Sequence, residues 1–565
     1  MKTSVAILII VLAVVAVFLP GVSPEFVGWD DNVMVFDNPL IKKLDLRSAG
    51  EIFSRFYYAP YVPLVLLSYS LEYHFFKLDA VFYHLTNLLL HALAAVLVFL
   101  LLKKLGASAP ASLAAALFFG IHPLRVESVV WITERKDVLS GVFFLLALLA
   151  YLRVLGRREA ANDAERRRPL WYALTLVLFL LSLLSKPTVA PFPLVLILID
   201  WLEGRKISPG SIAGKIPFFL LAIAFSAVAV IVQYSPGAEQ SSLKAGWTDP
   251  LIGLTNIIFY LGKTLFPIRL SAFYSYPRPI SLFLPGFLFP LLLLGALAAL
   301  VVRSLRFTRV VAAAAVFFLV MLLPVLKLLP FGEEFARADR YTYLPSVGLA
   351  ALVGIGGELA WRSGRRGIKT ILIFAGTLSA LFLALLSGAR STIWSDTVTL
   401  FTDVLRKHPG VAVAYANMGT AYGHRGQYEK ELECYRRYLE IRPHRKQIYQ
   451  NVALAYQQMG DYEKEADAYR VLLEDQGESP RLYNLLGVAL GRLEKYREAI
   501  ACFERAVNLK PDDAEVYNNL GLALGYLGYL DQSREAFQTA IRLEPALPEA
   551  HANLAELYRA MGKGK

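Results

Sequence analysis

The sequence predicts an all-α protein in which a polytopic helical membrane domain is followed by an α-solenoid of repeated helix pairs. Hydrophobic residues make up 56% of the 565 residues, above the roughly 45–50% of an average soluble domain. Apolar runs fill residues 1–390, whereas residues 395–565 are rich in Glu, Arg, Tyr and Asn and repeat with a regular period. We therefore predict a membrane domain over residues 1–392 and a repeat domain over residues 393–565.

The membrane domain is predicted to contain about eleven spans, since a bilayer core of ~30 Å needs about 17–25 apolar residues in a helix. The first run resembles a signal peptide, but the many spans that follow favour a retained first span. The candidate spans are residues 3–20, 81–102, 107–122, 138–156, 170–185, 188–201, 215–234, 284–302, 310–328, 343–361 and 368–388.

The basic residues give these spans an orientation. With Met1 in the cytoplasm, every strong basic cluster falls on the cytoplasmic side, as the positive-inside rule requires. These clusters are Lys103–Lys104, Arg153–Arg168, Arg205–Lys215, Arg303–Arg309 and Arg362–Lys369. The repeat domain is then extracytoplasmic. Membrane orientation thus accounts for the net charge of +12, and we expect no nucleic-acid partner.

Two further segments are apolar without fitting this scheme as spans. A crossing by residues 251–268 would invert everything downstream, so a re-entrant or interfacial helix is predicted there. Residues 50–77 are aromatic, interrupted by proline and amphipathic. This pattern is typical of a helix that lies on the membrane surface.

The C-terminal part carries an aromatic or histidine anchor every 34 residues, at Tyr415, Tyr449, Tyr483, Tyr517 and His551. This spacing is the tetratricopeptide period. Small residues (Gly419, Ala453, Gly487, Gly521) and aromatic residues (Tyr435, Tyr469, Phe503, Phe537) recur in phase with it. Stacked helix pairs form a concave groove that suits a peptide or protein partner. The recurring Asn417, Asn451, Asn484 and Asn518 fit two roles, either holding an extended chain or tying one repeat to the next.

The predicted outer connections hold the candidate chemistry. Asp30 and Asp31 follow the first span beside Trp29. Neighbouring carboxylates raise each other's pKa, which suits a group that accepts a proton, although an Asx-turn or a helix cap would use the same residues. Charged and polar residues at the ends of several spans predict a pocket at membrane depth. Its further candidates are His122, Glu127, Glu134, Arg135, Asp137, Lys186, Arg340 and Tyr341.

Other catalytic signatures are missing from the sequence. It contains no phosphate-binding glycine loop, no HExxH, no paired CxxC and no nucleophile elbow. The spacing of His84, His91 and His122 does not suit a metal. No metal ligands are therefore predicted, and a need for a divalent metal stays open.

Several of these segments match a known family. They are Trp29-Asp-Asp31, Tyr61-Val-Pro-Leu64, His84–Ala92, His122–Ser128, Trp131–Asp137, Ser185-Lys-Pro187 and Asp339–Ser346. In this order, and joined to tetratricopeptide repeats, they resemble the transmembrane and tetratricopeptide-repeat O-mannosyltransferase family and its prokaryotic relatives. Where that family often has tyrosine or arginine, this chain has Val62.

The resemblance implies a glycosyltransferase C-type fold and a membrane enzyme that moves a sugar, expected to be mannose, from a polyprenyl-phosphate donor to Ser or Thr hydroxyls of an acceptor protein. Asp30 or Asp31 would act as the base, and inversion at the anomeric carbon is expected. Arg135, Lys186 and Arg340 are fixed cations suited to the donor phosphate. The repeats would hold the acceptor.

The alternatives are a non-enzymatic scaffold or assembly factor that recruits partners through its repeats, and a transporter. A scaffold gives no reason for Asp30 and Asp31, and no inverted pair of broken helices indicates a transporter. The compact loops and short N-terminus favour the plasma (inner) membrane of a prokaryote. In a eukaryote the endoplasmic reticulum membrane, with luminal repeats, is expected.

Overall fold

The computed structural model describes residues 2–56, 60–156, 161–233, 249–277, 279–328, 335–362, 364 and 366–563. Within these ranges the regular structure is helical, apart from one isolated bridge between Tyr274 and Arg337. The predicted all-α class is therefore confirmed. The chain divides into two compact units, Met1–Pro409 and Gly410–Lys565.

The first unit is a bundle of mostly apolar helices. In chain order its helices are α1 (Thr3–Phe18), α2 (Leu46–Ser54), α3 (Pro63–Phe76), α4 (Ala80–Lys104), α5 (Ala109–Gly120), α6 (Val126–Val130), α7 (Arg135–Val154), α8 (Ala161–Ser185), α9 (Phe192–Leu202), α10 (Pro209–Ala213), α11 (Ile216–Gln233), α12 (Asp249–Leu265), α13 (Pro285–Ser304), α14 (Val310–Leu322), α15 (Ser346–Arg362), α16 (Arg366–Ser391) and α17 (Thr397–Lys407).

Each predicted span coincides with one of these helices. Among the residues that the structure describes, six helical segments are long and apolar enough to cross a membrane, namely Thr3–Gly21, Ala80–Lys104, Ile132–Val154, Arg167–Ser185, Pro285–Ser304 and Arg366–Trp394. A bent pair, Ala109–Gly120 with Pro123–Val130, would add a seventh. Shorter apolar helices lie at Pro187–Leu202, Ile216–Val232 and Val310–Val325. The chain is a membrane protein, and the total of about eleven crossings stays a prediction.

Burial separates central helices from peripheral ones. The apolar window of α4 is 67% buried and that of the Ile132–Val154 segment is 72% buried, whereas the windows in α13 and α16 are 6% and 11% buried. Apolar helices with so little protein around them are suited to contact lipid. The central helices α4 and α7 therefore hold the site described below in a fixed frame.

The two apolar segments that were not predicted as spans, 50–77 and 251–268, are mostly helical where the structure describes them, and residues 57–59 lie outside the described ranges. α2 and α3 share an apolar core with the loop that follows α1, in which Val35, Ile52 and Tyr69 are buried. α12, the predicted re-entrant segment, packs against the stretch before Asp339, where the Asn256 amide donates to the carbonyl oxygen of Ala336 at 3.1 Å.

The boundary between the units lies later than the predicted one after residue 392. α17 packs with the first unit, because Asp403 on α17 forms a buried ion pair with Arg390 on α16 at 2.6 Å. The Lys407 ammonium also donates to the carbonyl oxygen of Leu270 at 2.5 Å. Phe401, which keeps the repeat phase in the sequence, is buried in the first unit against Trp29.

The second unit is a series of antiparallel helix pairs. Its helices are α18 (Ala412–His424), α19 (Tyr428–Ile441), α20 (Tyr449–Met459), α21 (Tyr462–Gln476), α22 (Pro480–Arg492), α23 (Tyr496–Leu509), α24 (Ala514–Tyr526), α25 (Leu530–Leu543) and α26 (Pro548–Lys563). Each helix packs on the next in sequence, as a solenoid requires.

Three of the recurring glycines lie against aromatic rings of the second helix in the same repeat. A Cβ atom added to Gly419 would overlap the Tyr435 ring, and one added to Gly487 would lie 2.6 Å from the Phe503 ring. Gly521 has the same relation to Phe537, at 2.7 Å. These glycines allow the two helices of a repeat to approach closely.

The asparagines tie neighbouring repeats together. The Asn519 amide donates to the Asn484 side chain at 3.0 Å, and the Asn553 amide donates to the Asn518 side chain at 2.9 Å. Of the two roles that the sequence left open, these contacts support the second for Asn484 and Asn518.

Candidate functional site at the ends of the membrane helices

Asp31 is a buried carboxylate that closes the loop after α1. Its Oδ2 atom accepts a hydrogen bond from the Val27 backbone N–H at 3.1 Å. Its Oδ1 atom accepts from the Thr133 backbone N–H at 3.0 Å and from the Thr133 hydroxyl. The side chain therefore fastens its own loop to the segment between α6 and α7.

The pKa of Asp31 is raised to about 7, mainly because burial penalises the ionised form. The hydrogen bonds from Thr133 and Val27 oppose this shift, and the neighbouring charge of Asp30 adds to it. Both carboxylate oxygens of Asp31 are occupied by protein donors, so its contacts fit the turn-closing role that the sequence left open.

Asp30 differs from its neighbour in exposure. Its side chain is 22% exposed, and its Oδ2 atom lies 3.9 Å from the Lys136 ammonium. This carboxylate can be reached by a second molecule, whereas Asp31 is fully buried. Of the two predicted bases, Asp30 is therefore the more exposed, and its role as a base stays a prediction.

Aromatic rings form one wall beside Asp30. The Trp29 ring stacks on the Trp131 ring with their centroids 4.8 Å apart and their planes at 20°. The Trp131 ring also contacts the Trp394 ring at 5.5 Å. Trp29, a predicted pocket residue, thus connects the acidic loop to the segment before α7.

Glu134 is the centre of a buried charged cluster. Its carboxylate lies 3.1 Å from the Lys136 ammonium, 3.2 Å from the Lys186 ammonium and 3.2 Å from Arg340 Nε. Lys186 stands after α8 and Arg340 after α14. The structure thereby brings together predicted site residues from separate connections. We use the name charged cluster for Glu127, Glu134, Lys136, Asp137, Lys186 and Arg340.

Two further carboxylates hold the cations of this cluster. Asp137 pairs with the Lys186 ammonium at 2.7 Å and accepts a hydrogen bond from Ser128 Oγ at 3.1 Å. Glu127 pairs with the Arg340 guanidinium and accepts from the Arg340 backbone N–H at 3.1 Å. Lys186 and Arg340 are each held by two carboxylates, which fixes their positions before any substrate binds.

Arg135 is placed apart from Lys186 and Arg340. Its guanidinium pairs with Glu72 and donates to the Asn87 side chain at 2.8 Å and to the Tyr83 carbonyl oxygen at 2.8 Å. It also lies over the Tyr69 ring at 4.7 Å. The side chain is fully buried, so these contacts favour a role in joining α3, α4 and α7. Its predicted binding of the donor phosphate remains a prediction.

His122 and Tyr341 complete the predicted pocket residues. His122 is buried, with Nε2 3.0 Å from the Thr264 carbonyl oxygen, and its Nδ1 accepts from the Leu124 backbone N–H at 3.2 Å. The Arg340 guanidinium carbon lies 5.2 Å from the centroid of the Tyr341 ring. One ring nitrogen of His122 thus holds its own loop, and the other lies against α12. Among the described residues, no group of three or more His, Cys, Asp or Glu could hold a metal ion.

Lys136 and Thr133 were missed as site residues. Both lie inside the Trp131–Asp137 segment, but the sequence does not indicate which of the adjacent Arg135 and Lys136 faces the cluster. Successive residues of a helix point about 100° apart, so only the packing of α7 decides this. The sequence also gives no sign that Thr133 contacts Asp31, because a threonine before a helix is common.

Helices that cross a membrane, a buried charged cluster where several of them end, and a tetratricopeptide solenoid together define the class of this protein. Family models described as tetratricopeptide repeat match residues 412–445, 446–474 and 514–547, and one described as TPR repeat matches residues 492–528. The predicted repeat type is thereby confirmed.

Curated relatives match large parts of the chain. The chain is 24% identical over 432 residues to protein O-mannosyl-transferase TMTC3 of Mus musculus, covering 68% of this chain and 44% of that protein. It is 22% identical over 470 residues to protein O-mannosyl-transferase F38B6.6 of Caenorhabditis elegans, covering 78% of this chain and 63% of that protein. A shorter match, to protein O-mannosyl-transferase tmtc2 of Xenopus laevis, is 46% identical over 93 residues, 16% of this chain and 11% of that protein.

Over most of its length, the chain is thus homologous to proteins of the protein O-mannosyl-transferase TMTC family, and the resemblance seen in the sequence is confirmed. In its two long matches the chain spans about half the length of the relative, 44% of the mouse protein and 63% of the nematode protein.

Proposed function

We propose that this protein is a membrane glycosyltransferase that moves mannose from a polyprenyl-phosphate donor to Ser or Thr hydroxyls of acceptor proteins on the extracytoplasmic face. The observation that carries the proposal is an accessible carboxylate, Asp30, at the edge of a cluster that holds three cations. The names of the homologues support protein O-mannosylation, and the geometry suits the chemistry that such a transfer needs.

The acceptor needs a base. In the proposed reaction the acceptor oxygen attacks the anomeric carbon from the face opposite the phosphate, and the bond from that carbon to the phosphate oxygen breaks. The sugar configuration is therefore inverted. The acceptor proton passes to Asp30, a transfer that contributes about 10²–10⁴-fold to the rate of typical enzymes. Asp31 keeps Asp30 in place by closing the loop.

The leaving polyprenyl phosphate needs fixed positive charge. Lys186 and Arg340 suit this role, because each is held by two carboxylates and needs little rearrangement when negative charge develops. Lys136 lies between Asp30 and Glu134 and provides a third cation nearby. Arg135 contributes indirectly, since its contacts fix the start of α7, where Lys136 and Asp137 stand.

The repeat unit is proposed to bind the acceptor protein. Stacked helix pairs present a surface to a polypeptide and perform no chemistry alone. The positive-inside pattern supports placing this unit on the same side of the membrane as the charged cluster.

The test is a transfer reaction with the full chain reconstituted in lipid nanodiscs. Polyprenyl-phosphate mannose and a Ser/Thr-rich peptide are added, and the glycosylated product is measured by mass spectrometry. We expect a mass increase of one hexose, absent with a peptide whose Ser and Thr are replaced by Ala. Parallel reactions with other lipid-linked sugars and with a chelator define the donor and any metal dependence. No transfer from any lipid-linked sugar would contradict the proposal and favour a scaffold.

A further inference from the structure

We infer that residues 394–401, between the last apolar helix and the repeat unit, position the Asp30 loop through the hydroxyl of Thr397. This inference rests on the proposed function, because it gives Thr397 a role toward the proposed base. Thr397 is a positioning residue here, since it contacts the loop and not the substrate.

The loop and this segment are joined by two side-chain hydrogen bonds. The Gly28 backbone N–H donates to Thr397 Oγ1 at 2.6 Å, and the Ser23 hydroxyl donates to the Ser395 carbonyl oxygen at 2.6 Å. Thr397 is 5% exposed, so water cannot readily replace it as the acceptor for Gly28. The contact is also tight, because a Cβ atom added to Gly28 would lie 3.1 Å from Thr397 Oγ1.

Contacts between aromatic rings also join residues 394–401 to the Asp30 loop. The Phe401 ring lies 5.5 Å from the Trp29 ring, and the Trp394 ring lies 5.5 Å from the Trp131 ring. Since Trp29 and Trp131 stack on each other, the segment contacts both halves of the wall beside Asp30. Phe401 and Trp394 are themselves fully buried.

Thr397 stands on a fixed support. It is the first residue of α17, whose N-terminus is capped by Asp396, with the Val398 backbone N–H donating to Asp396 Oδ1 at 2.9 Å. The Arg390–Asp403 ion pair then fastens α17 to α16. A side chain held in this way can fix the conformation of a loop that packs on it.

The distance along the chain from Gly28 to Asp30 is short. The turn between them is closed by a hydrogen bond from the Trp29 N–H to the Val27 carbonyl oxygen at 2.7 Å and by the Val27–Asp31 bond. When Gly28 loses its acceptor, the turn that carries Asp30 loses its attachment to α17. A misplacement of about 1 Å can lower a reaction rate by as much as 10²-fold. The rate of mannose transfer should therefore fall when this attachment is lost.

The experiment compares Thr397→Val with Thr397→Ser and with Thr399→Val in the full chain. Valine has the shape of threonine without the hydroxyl, whereas serine keeps the hydroxyl. Thr399 lies on the same helix, but its hydroxyl bonds Asp396 at 2.5 Å, away from the loop. Hydrogen–deuterium exchange of residues 23–36 and the rate of mannose transfer are measured for each variant.

We expect T397V to exchange faster than wild type over residues 23–36 and to transfer mannose at least about 10-fold more slowly at saturating donor and acceptor. KM values should change little, since binding residues are untouched. T397S and T399V should resemble wild type in both measurements. T397V exchange and rate equal to those of T399V would overturn the inference.

The experiment also covers an inactive wild type and a T397V variant that does not fold. A wild type without transfer activity contradicts the proposed function, and the exchange comparison alone then decides the positioning role. If T397V loses the fold of the first unit, Thr397→Ala replaces it, because alanine and serine at this position differ only by the hydroxyl that accepts from Gly28. Exchange over residues 23–36 in T397A equal to that in T397S would then overturn the inference.

Discussion

Two adjacent aspartates have different surroundings in this protein, and the difference comes from residues far away in the sequence. Thr133, about a hundred positions from Asp31, donates two of the three hydrogen bonds that the buried Asp31 carboxylate accepts. Asp30 instead faces Lys136 from a partly exposed position. The sequence predicts that an acidic pair stands at the end of the first span. It does not indicate which member is buried, because that depends on how the Thr133 segment packs.

A first prediction concerns Asp31 and pH. Its pKa is about 7 in the folded protein, against an ordinary value of 3.8 for an aspartate. Between these pH values the folded protein keeps a proton that the unfolded chain has lost, so this group's contribution to stability falls as pH rises, by about 1.4 kcal/mol per unit, and is constant above the folded pKa. We expect the Tm of wild type minus that of Asp31→Asn to decrease between about pH 4 and 7.

The measurement is thermal unfolding of both proteins in one detergent over that pH range. The asparagine of the variant does not titrate, so the difference between the curves isolates the Asp31 carboxyl group from the others. A Tm difference that stays constant from acidic to neutral pH would contradict the raised pKa.

A second prediction distinguishes a structural role for Arg135 from a donor-binding role for Lys186. Removing one partner of a buried ion pair typically costs about 3–5 kcal/mol, so Arg135→Gln should lower the Tm and leave the donor KM near its wild-type value. The double variant Glu72→Gln/Arg135→Gln should recover part of the Tm, because no unpaired charge then remains. Lys186→Gln should raise the donor KM. An R135Q protein with normal Tm and a raised donor KM would instead support the predicted phosphate contact.

At the scale of secondary-structure elements, the repeats were predictable residue by residue, because a 34-residue period aligns each helix with its copies. The positions of Gly487 and Phe503, for example, follow from the sequence of the other repeats alone. α17 was not predictable in the same way, since Phe401 keeps the repeat phase while its side chain packs on Trp29. A periodic pattern predicts where the helices lie in the sequence. It does not predict which part of the protein a terminal helix packs against.

A third prediction concerns two glycines of α22. Gly487→Ala would place Cβ 2.6 Å from the Phe503 ring, and overpacking of this kind typically costs about 1–3 kcal/mol. Gly491→Ala is the matched control, because nothing lies within 4 Å of its Cβ position and alanine favours a helix by about 1 kcal/mol. Hydrogen exchange over α22 and α23 in the full chain should be faster in G487A and equal or slower in G491A. Equal exchange in the two variants would contradict the close-packing account.

At the scale of the whole molecule, two signals gave most of the architecture: apolar runs of spanning length and the distribution of Lys and Arg. They placed Asp30, Glu134, Lys186 and Arg340 on one predicted side of the membrane, and the structure brings these residues together. The pairing of each cation with its carboxylates was not predictable, because it depends on the mutual rotation of α7 and its neighbours.

A fourth prediction tests the orientation. In a chain whose two free cysteines, Cys434 and Cys502, are replaced by serine, single cysteines are introduced as Asp531→Cys and Gly367→Cys, both at exposed positions. A membrane-impermeant maleimide should label residue 531 in intact cells and residue 367 only after the membrane is opened. The reverse pattern would contradict an extracytoplasmic repeat unit.

The most direct test of the central claim is the rate of mannose transfer by wild type and by Asp30→Asn, assayed together with polyprenyl-phosphate mannose. Since asparagine cannot accept the proton, we predict a rate at least about 10²-fold lower in the variant, with an unchanged Tm because Asp30 is partly exposed. Transfer by D30N at the wild-type rate would contradict the assignment of Asp30 as the base and the site built around it.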